Sequence, residues 1–262
     1  MITGAVIGFI FAVNTQIPIY GFVCAAIAGA LLSVLFAVLT QYIMSNQVAT
    51  GLGLTMVGLG LSALIGKPYE GIKSPTLSKI EIPILSDIPI LGPMIFSHDA
   101  IVYFSVILVA TVAFVISKTR IGLVLRAVGE NQEAAHALGY KVVRIRFLAI
   151  MFGGATAGIG GAYISLARVP QWTEGMTAGA GWIALALVVF ASWKPWRVLL
   201  GAYLFGGITV LQLNLQAIGV AIPVEILSMS PYLVTIVVLV GISLFGHHTA
   251  PGSLARPFHA SQ

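Results

Sequence analysis

Residues 126–140 read R-A-V-G-E-N-Q-E-A-A-H-A-L-G-Y and form the most polar stretch of a very apolar chain. The middle of this stretch, residues 132–138, predicts a helix of about two turns, which is roughly 10 Å long at about 1.5 Å per residue. Asn131 is a favoured N-cap, and Glu133 lies where the positive end of the helix dipole stabilises anions. Gly139 suits the left-handed position that follows a helix. Because so short a helix is marginal alone, we expect it to rest on something else.

One face of this short helix is narrow and apolar. The spacing of Ala134, Ala135 and Leu138 predicts that their side chains share that face. Two alanines beside one leucine make a slim ridge that suits a groove on another protein. The alternative is a polar loop between two membrane helices, because caps and charges are common at any helix end.

The composition of the whole chain excludes a water-soluble globule. Of the 262 residues, 58% are hydrophobic and 8% are charged, whereas a soluble domain carries about 25% charged residues. Apolar runs such as V-I-L-V-A at 106–110 do not alternate as the strands of an outer-membrane barrel do. The sequence predicts an all-α polytopic transmembrane bundle with about eight spans or partial spans, each span needing roughly 20 residues.

The charges predict how this bundle is oriented. The net charge of +5 arises from basic residues gathered in a few loops, which indicates topology rather than a nucleic-acid surface. The stretch 118–146 carries six Lys or Arg against two Glu, and the positive-inside rule places it in the cytoplasm. The proline-rich loop 66–97 balances three Lys against three acids and is expected outside. Alternation then places the turn 194–197 and the tail inside, and the loops around Glu174 and Glu225 outside.

Several chemical functions lack their motifs. The sequence contains no Walker phosphate loop, no zinc-spaced His/Cys cluster and no H-E-x-x-H, so we expect the chain to bind no ATP, cofactor or metal. The His247-His248 pair does not change that expectation. Every Asp, Glu, Lys and Arg falls in a loop or near a helix end, which disfavours a proton-coupled carrier.

Small and aromatic residues predict how the helices pack. The glycine pairs 153–154 and 160–161 lie on an expected membrane helix, where close helix packing explains them better than a nucleotide site. Four tryptophans are expected in the belts at the membrane surface: Trp172, Trp182, Trp193 and Trp196.

Uncharged polar residues near the spans are the candidates for a solute path. Amides both donate and accept hydrogen bonds, which suits a neutral, hydroxyl-rich solute. The alternative is that these groups cap helix ends or bond between helices. The candidates are Asn46, Gln47, Thr50, Gln212 and Asn214, with Thr55 and Gln216 nearby.

The residues E-A-A at 133–135, followed after three residues by Gly139, resemble the E-A-A-x-x-x-G loop of ABC-importer permeases. N-Q-V-A-T-G-L-G-L at 46–54, R-A-V-G-E-N at 126–131 and G-W-I-A-L-A-L-V-V-F at 181–190 resemble the branch that serves simple sugars, nucleosides and branched-chain amino acids. The nucleoside and simple-sugar members are the most similar. The resemblance covers nearly the whole chain, 1–262, as one permease domain, and it implies that the first family helix is missing here.

The resemblance implies a role for the short helix and a set of partners. In such permeases this loop is the coupling helix, which docks on the ATP-hydrolysing subunit. The implied partners are two ATP-binding subunits, a second permease subunit, identical or different, and an extracytoplasmic solute-binding protein, all at the plasma (inner) membrane. Nucleic acid is not among them. The residues expected to couple are Arg126, Gly129, Glu130, Asn131, Glu133, Ala134, Ala135, Leu138 and Gly139.

These expectations give one function and two alternatives. The chain is expected to be a permease subunit that moves a neutral nucleoside or simple sugar inward by alternating access, while a separate subunit hydrolyses ATP. One alternative is a permease for branched-chain amino acids. The other is a secondary carrier or channel that works without ATP.

Overall fold

The computed structural model of the chain describes residues 1–81, 97–177, 179–219, 223–245 and 250–258. Within these ranges the chain forms ten α-helices and one short antiparallel ladder, in which β1 (Lys79–Glu81) pairs with β2 (Ser97–Asp99). The helices are α1 (Ile2–Thr15), α2 (Pro18–Ala37), α3 (Gln47–Gly66), α4 (Ala100–Lys118), α5 (Arg120–Glu130), α6 (Gln132–Ala137), α7 (Val142–Tyr163), α8 (Ala180–Phe190), α9 (Pro195–Ala217) and α10 (Val224–Phe245).

Five helical stretches in the described part of the chain are long and apolar enough to cross a membrane. Two shorter apolar helices, Ile2–Thr15 and Ala180–Val189, accompany them. The chain is therefore a multi-pass helical membrane protein, and the predicted fold class is confirmed. The five stretches are Pro18–Tyr42, Gln47–Tyr69, Ala100–Lys118, Val142–Arg168 and Pro195–Ala217.

The chain divides into two compact units. The first contains Met1–Phe104, Ala127–Gly181 and Ser253–Gln262, and the second contains Ser105–Arg126 and Trp182–Gly252. In the first unit α1, α2 and α7 pack against one another. In the second unit α9 packs against α10, and the rings of Phe205 and Tyr232 meet edge to face with centroids 5.8 Å apart.

Glycine lets α2 and α7 come into backbone contact. A Cβ added to Gly158 of α7 would lie 2.9 Å from the carbonyl carbon of Ala25 and 3.3 Å from the Cα of Gly29. A Cβ added to Gly29 of α2 would in turn collide with the carbonyl oxygen of Gly154. Backbone atoms cannot rotate out of the way, so a side chain at either position would separate the two helices.

The two glycine pairs of α7 each contribute one close contact. A Cβ on Gly154 would collide with Ser33, and a Cβ on Gly161 would collide with the backbone of Met1. Gly153 faces open space, and a Cβ on Gly160 would only touch the Met1 side chain, at 3.9 Å. The predicted packing role is confirmed for one member of each pair, because a helix turns one face toward its neighbours.

Trp172, which was predicted to lie in an interfacial belt, is instead part of the core of the first unit. It is fully buried and belongs to one hydrophobic cluster with Phe9 and Leu166. The chain beyond α3 folds back over it, since Glu70 forms a bridge with Trp172 and a Cβ on Gly66 would collide with the indole ring. The belt assignment is wrong for this residue because tertiary packing, not hydropathy, determines its surroundings.

Helices extend into two segments that the sequence predicts as loops. The stretch 118–146 contains the whole of α5 and the first turns of α7, so Arg144 and Arg146 are helical. Glu225 lies in the first turn of α10 rather than in a loop. Hydropathy marks the apolar part of a helix, while charged residues at its ends reach polar surroundings and leave no apolar signal. The His247-His248 pair lies outside the described residues.

Candidate functional site

The ends of α6 are set by the residues that the sequence predicted. Asn131 is extended before the helix, and its side-chain oxygen accepts a hydrogen bond from the Ala134 N–H at 3.0 Å. Gly139 has a φ of 87°, in the left-handed region, and its N–H donates to the carbonyl of His136 at 2.8 Å. The predicted N-cap and the glycine after the helix are confirmed, and the helix ends at Ala137, one residue earlier than expected.

The short helix has an inner and an outer face. Gln132 and Ala135 are buried, with 5% and 2% of their surface exposed. Glu133 and Ala134 are exposed, and Leu138 just after the helix is 76% exposed. The surface open to a partner therefore consists of the Glu133 carboxylate, the small Ala134 and the large apolar side chain of Leu138.

The prediction that Ala135 belongs to an exposed ridge is wrong. Consecutive residues of an α-helix point about 100° apart, so Ala134 and Ala135 cannot both occupy the centre of one narrow face. Ala134 and Leu138, four residues apart, do share the outer face. Ala135 supports the helix from beneath, and a bulky residue there would disturb the protein's own packing before it reached any partner.

A segment that the sequence analysis assigned no role, residues 253–258, covers the inner face of α6. The Ser253 N–H donates to the carbonyl of Gly129 at 2.9 Å. The Nε2 of Gln132 donates to the carbonyls of Ser253 and Arg256, each at 3.3 Å. These bonds connect residues more than a hundred positions apart in the chain.

Arg146 of α7 completes this network. Its Nη1 donates to the Oε1 of Gln132 at 2.6 Å and to the carbonyl of Arg256 at 3.0 Å. The rings of His136 and Phe258 meet edge to face at 5.4 Å, and Phe258 is 8% exposed. The sequence held one signal for this contact: Phe258 is the only Phe, Tyr or Trp in residues 246–262, where the other bulky apolar residue is Leu254.

Three other coupling candidates lie before α6. Arg126 and Glu130 are exposed on α5, and Gly129 is half-buried with its carbonyl bound by the segment described above. α5 is amphipathic and buries Val128. Arg126 belongs to the second compact unit, whereas Gly129 and Glu130 belong to the first.

The solute-path candidates of the first unit lie at the start of α3, and two of them have a local role. The side chain of Asn46 caps the helix by accepting from the N–H groups of Val48 and Ala49, both at 3.0 Å. The Thr50 hydroxyl donates to the Asn46 carbonyl at 2.8 Å. Gln47 differs, because its buried Nε2 makes no hydrogen bond with the described residues. This nitrogen is enclosed by the protein, so the structure does not show Gln47 open to a solute.

The remaining path candidates, Gln212 and Asn214, lie on α9 in the second unit. Two residues apart on a helix, their side chains point about 200° apart. Asn214 is exposed, and Gln212 is half-buried. A narrow path along α9 thus passes one of the two residues, not both.

The E-A-A-x-x-x-G stretch forms a short capped helix that lies, in sequence, between α4 and α7, two helices long enough to cross a membrane, which is the arrangement expected of a transporter permease. The family described as "Branched-chain amino acid transport system / permease component" matches residues 1–242, and the chain belongs to it. No solved structure matches the chain.

Curated relatives are similar over most of their length. The chain is 37% identical to a putative glucose ABC transporter permease of Haloferax volcanii, over 91% of this chain and 79% of that one. It is 33% identical to a nucleoside ABC transporter permease of Lactococcus lactis, over 86% and 74%, and to a guanosine ABC transporter permease of Bacillus subtilis, over 92% and 77%. The chain is an ABC transporter permease, a transporter component rather than an enzyme.

Proposed function

We propose that this chain lines the membrane path of an ATP-driven importer for a neutral nucleoside or simple sugar. The observation that carries the coupling part of this proposal is α6. This helix is short and capped, and it exposes Glu133, Ala134 and Leu138 between α4 and α7, two helices long enough to cross the membrane. An ATP-binding subunit that binds this outer face can pass its movement to α7, which α6 contacts through Gln132 and Arg146.

The proposed solute class rests on two arguments. Relatives that are 33% to 37% identical over the matched region are named for glucose, nucleosides and guanosine, which are all neutral. The described spans carry their charged residues only near their ends, and an ionic solute would need a charged partner inside the membrane. Branched-chain amino acids, which the family description names, are zwitterions and fit such a path less well.

Uptake by the reconstituted complex tests this function. The chain is purified with ATP-binding and permease subunits encoded beside its gene, placed in vesicles with the solute-binding protein, and offered labelled guanosine, glucose or leucine. We expect ATP-dependent uptake of guanosine or glucose and none of leucine. Uptake restricted to leucine would contradict the solute class, and equal uptake without ATP would establish a secondary carrier instead.

The proposal includes a location and partners. The chain is placed in the plasma membrane as one permease domain, together with a second permease subunit, two ATP-binding subunits and an external solute-binding protein. The basic stretch 118–146 faces the cytoplasm and the loop 66–97 faces outside, as the distribution of Lys and Arg favours.

Cysteine labelling tests this orientation. In a chain whose single cysteine, Cys24, has been replaced, we expect Ser78→Cys to react with an impermeant maleimide on intact cells, because Ser78 is exposed in the loop proposed to be external. Lys118→Cys, also at an exposed position, is the matched control and should react only after the membrane is opened. The reverse pattern would invert the topology.

A further inference from the structure

We propose that residues 253–258 form a strap that positions the coupling helix, with Gln132, Arg146 and Phe258 as its positioning residues. This inference rests on the proposed coupling function of α6. The strap binds the helix on the face that is turned away from any partner, and it leaves Ala134 and Leu138 free.

The helix needs such support because of its length. An isolated helix of six residues is unstable in water, since too few hydrogen bonds form to offset the ordering of its first turn. α6 also has few contacts with α7. Burial beneath Phe258, at 8% exposure, and the hydrogen bonds of Gln132 supply what the helix lacks.

Gln132 forms hydrogen bonds that connect the strap to the coupling helix and to α7. Its Nε2 donates to two strap carbonyls, and its Oε1 accepts from Arg146, so both ends of a buried amide are satisfied. Arg146 also donates to the carbonyl of Arg256. Release of the strap would break the bonds to the Ser253 and Arg256 carbonyls and open Gln132 and Arg146 to water, while the bond between these two side chains could remain. The strap therefore supplies two of the three hydrogen bonds that hold the Gln132 side chain in place.

Arg146 connects the coupling helix and the strap to a membrane-spanning helix. It belongs to α7, a helix long enough to span the membrane, and it contacts both the coupling helix and the strap. A push on α6 thus reaches α7 through the bond between Gln132 and Arg146, at 2.6 Å, and not only through the backbone. A loosened strap should leave docking possible but transmit less of the movement.

Amide hydrogen exchange of the purified full-length chain tests the strap itself. We expect Phe258→Ala, and a chain ending at Gly252, to raise exchange in residues 127–140 by about tenfold or more, since the helix loses its support. Phe258→Tyr should keep the ring contact and the wild-type rate. The matched control Leu254→Ala, at a strap residue that is 47% exposed, should change nothing. Unchanged exchange in both Phe258→Ala and the shortened chain would overturn the proposal.

Transport by the assembled complex tests the positioning role. With Phe258→Ala we expect the ATP-binding subunit to co-purify as before, while solute imported per ATP hydrolysed falls about 2- to 30-fold, the range expected when a residue that carries coupling between two sites is changed. Phe258→Tyr should restore the ratio. An unchanged ratio despite faster exchange would overturn the positioning role. Failure of the wild-type chain to recruit any ATP-binding subunit would instead refute the proposed function, and the exchange result would then decide the strap alone.

Discussion

We expect Gly158→Leu to prevent the protein from folding, whereas Gly153→Leu on the same helix should fold like wild type. At Gly158 a side chain meets the backbone of Ala25 and Gly29. Overpacking costs about 1–3 kcal/mol where neighbouring side chains can adjust. At Gly158 the neighbouring atoms are backbone, which cannot adjust, so the loss of stability is larger. Gly153 has nothing within 4 Å of an added Cβ, so its substitution should change stability by less than about 0.5 kcal/mol.

The two variants are compared by yield and by thermal unfolding in detergent. We expect little monodisperse Gly158→Leu protein from size exclusion and a wild-type profile for Gly153→Leu. Gly158→Ala provides an intermediate case, because its single methyl already reaches Ala25. Equal melting temperatures for Gly158→Ala and wild type would show that α2 and α7 do not pack as described.

We expect Leu138→Asp to weaken recruitment of the ATP-binding subunit strongly, while the permease folds normally. Leu138 is 76% exposed, so its replacement leaves the protein's own packing unchanged. Leu138 is the one large apolar side chain on the outer face of α6, so it would anchor the proposed interface. Loss of such an anchor costs about 2 kcal/mol or more, or roughly 30-fold in affinity. Leu138→Met keeps an apolar side chain of similar size and should retain binding.

Ala134→Trp is an independent change on the same face. Ala134 is exposed, so the indole is accommodated by the free permease and obstructs only the docked partner. The measurement is the amount of ATP-binding subunit that co-purifies, together with solute uptake and the melting temperature of the permease alone. If Leu138→Asp and Ala134→Trp both retain wild-type recruitment, the outer face of α6 is not the docking surface.

Local chemistry predicted the capping residues of α6 correctly because a cap requires only the residues beside it. Asn131 and Gly139 act within a few positions of themselves. The orientation of the helix was not predictable in the same way. Ala134 and Ala135 are chemically identical, and only the packing of α6 against other parts of the chain, including residues 253–258, determines which of them is buried.

For the glycines and the polar groups too, the sequence indicated a general role, and tertiary contacts decided which residue has it. Composition indicated close packing on α7, but Gly154 and Gly153 are distinguished only by the direction of the neighbouring helix. Among the path candidates, the sequence could not separate Asn46, which caps α3, from Gln47, whose Nε2 makes no bond with the described residues.

The sequence by itself determined that the chain is a helical membrane protein, where its apolar helices lie, and that a capped polar helix interrupts them. Each of these follows from hydropathy and local hydrogen bonding, which depend on nearby residues. Tertiary structure alone decided that Trp172 is core, that Ala135 is buried, and that residues 253–258 cover the coupling helix. These are contacts between distant parts of the chain, and they depend on how helices approach one another in space.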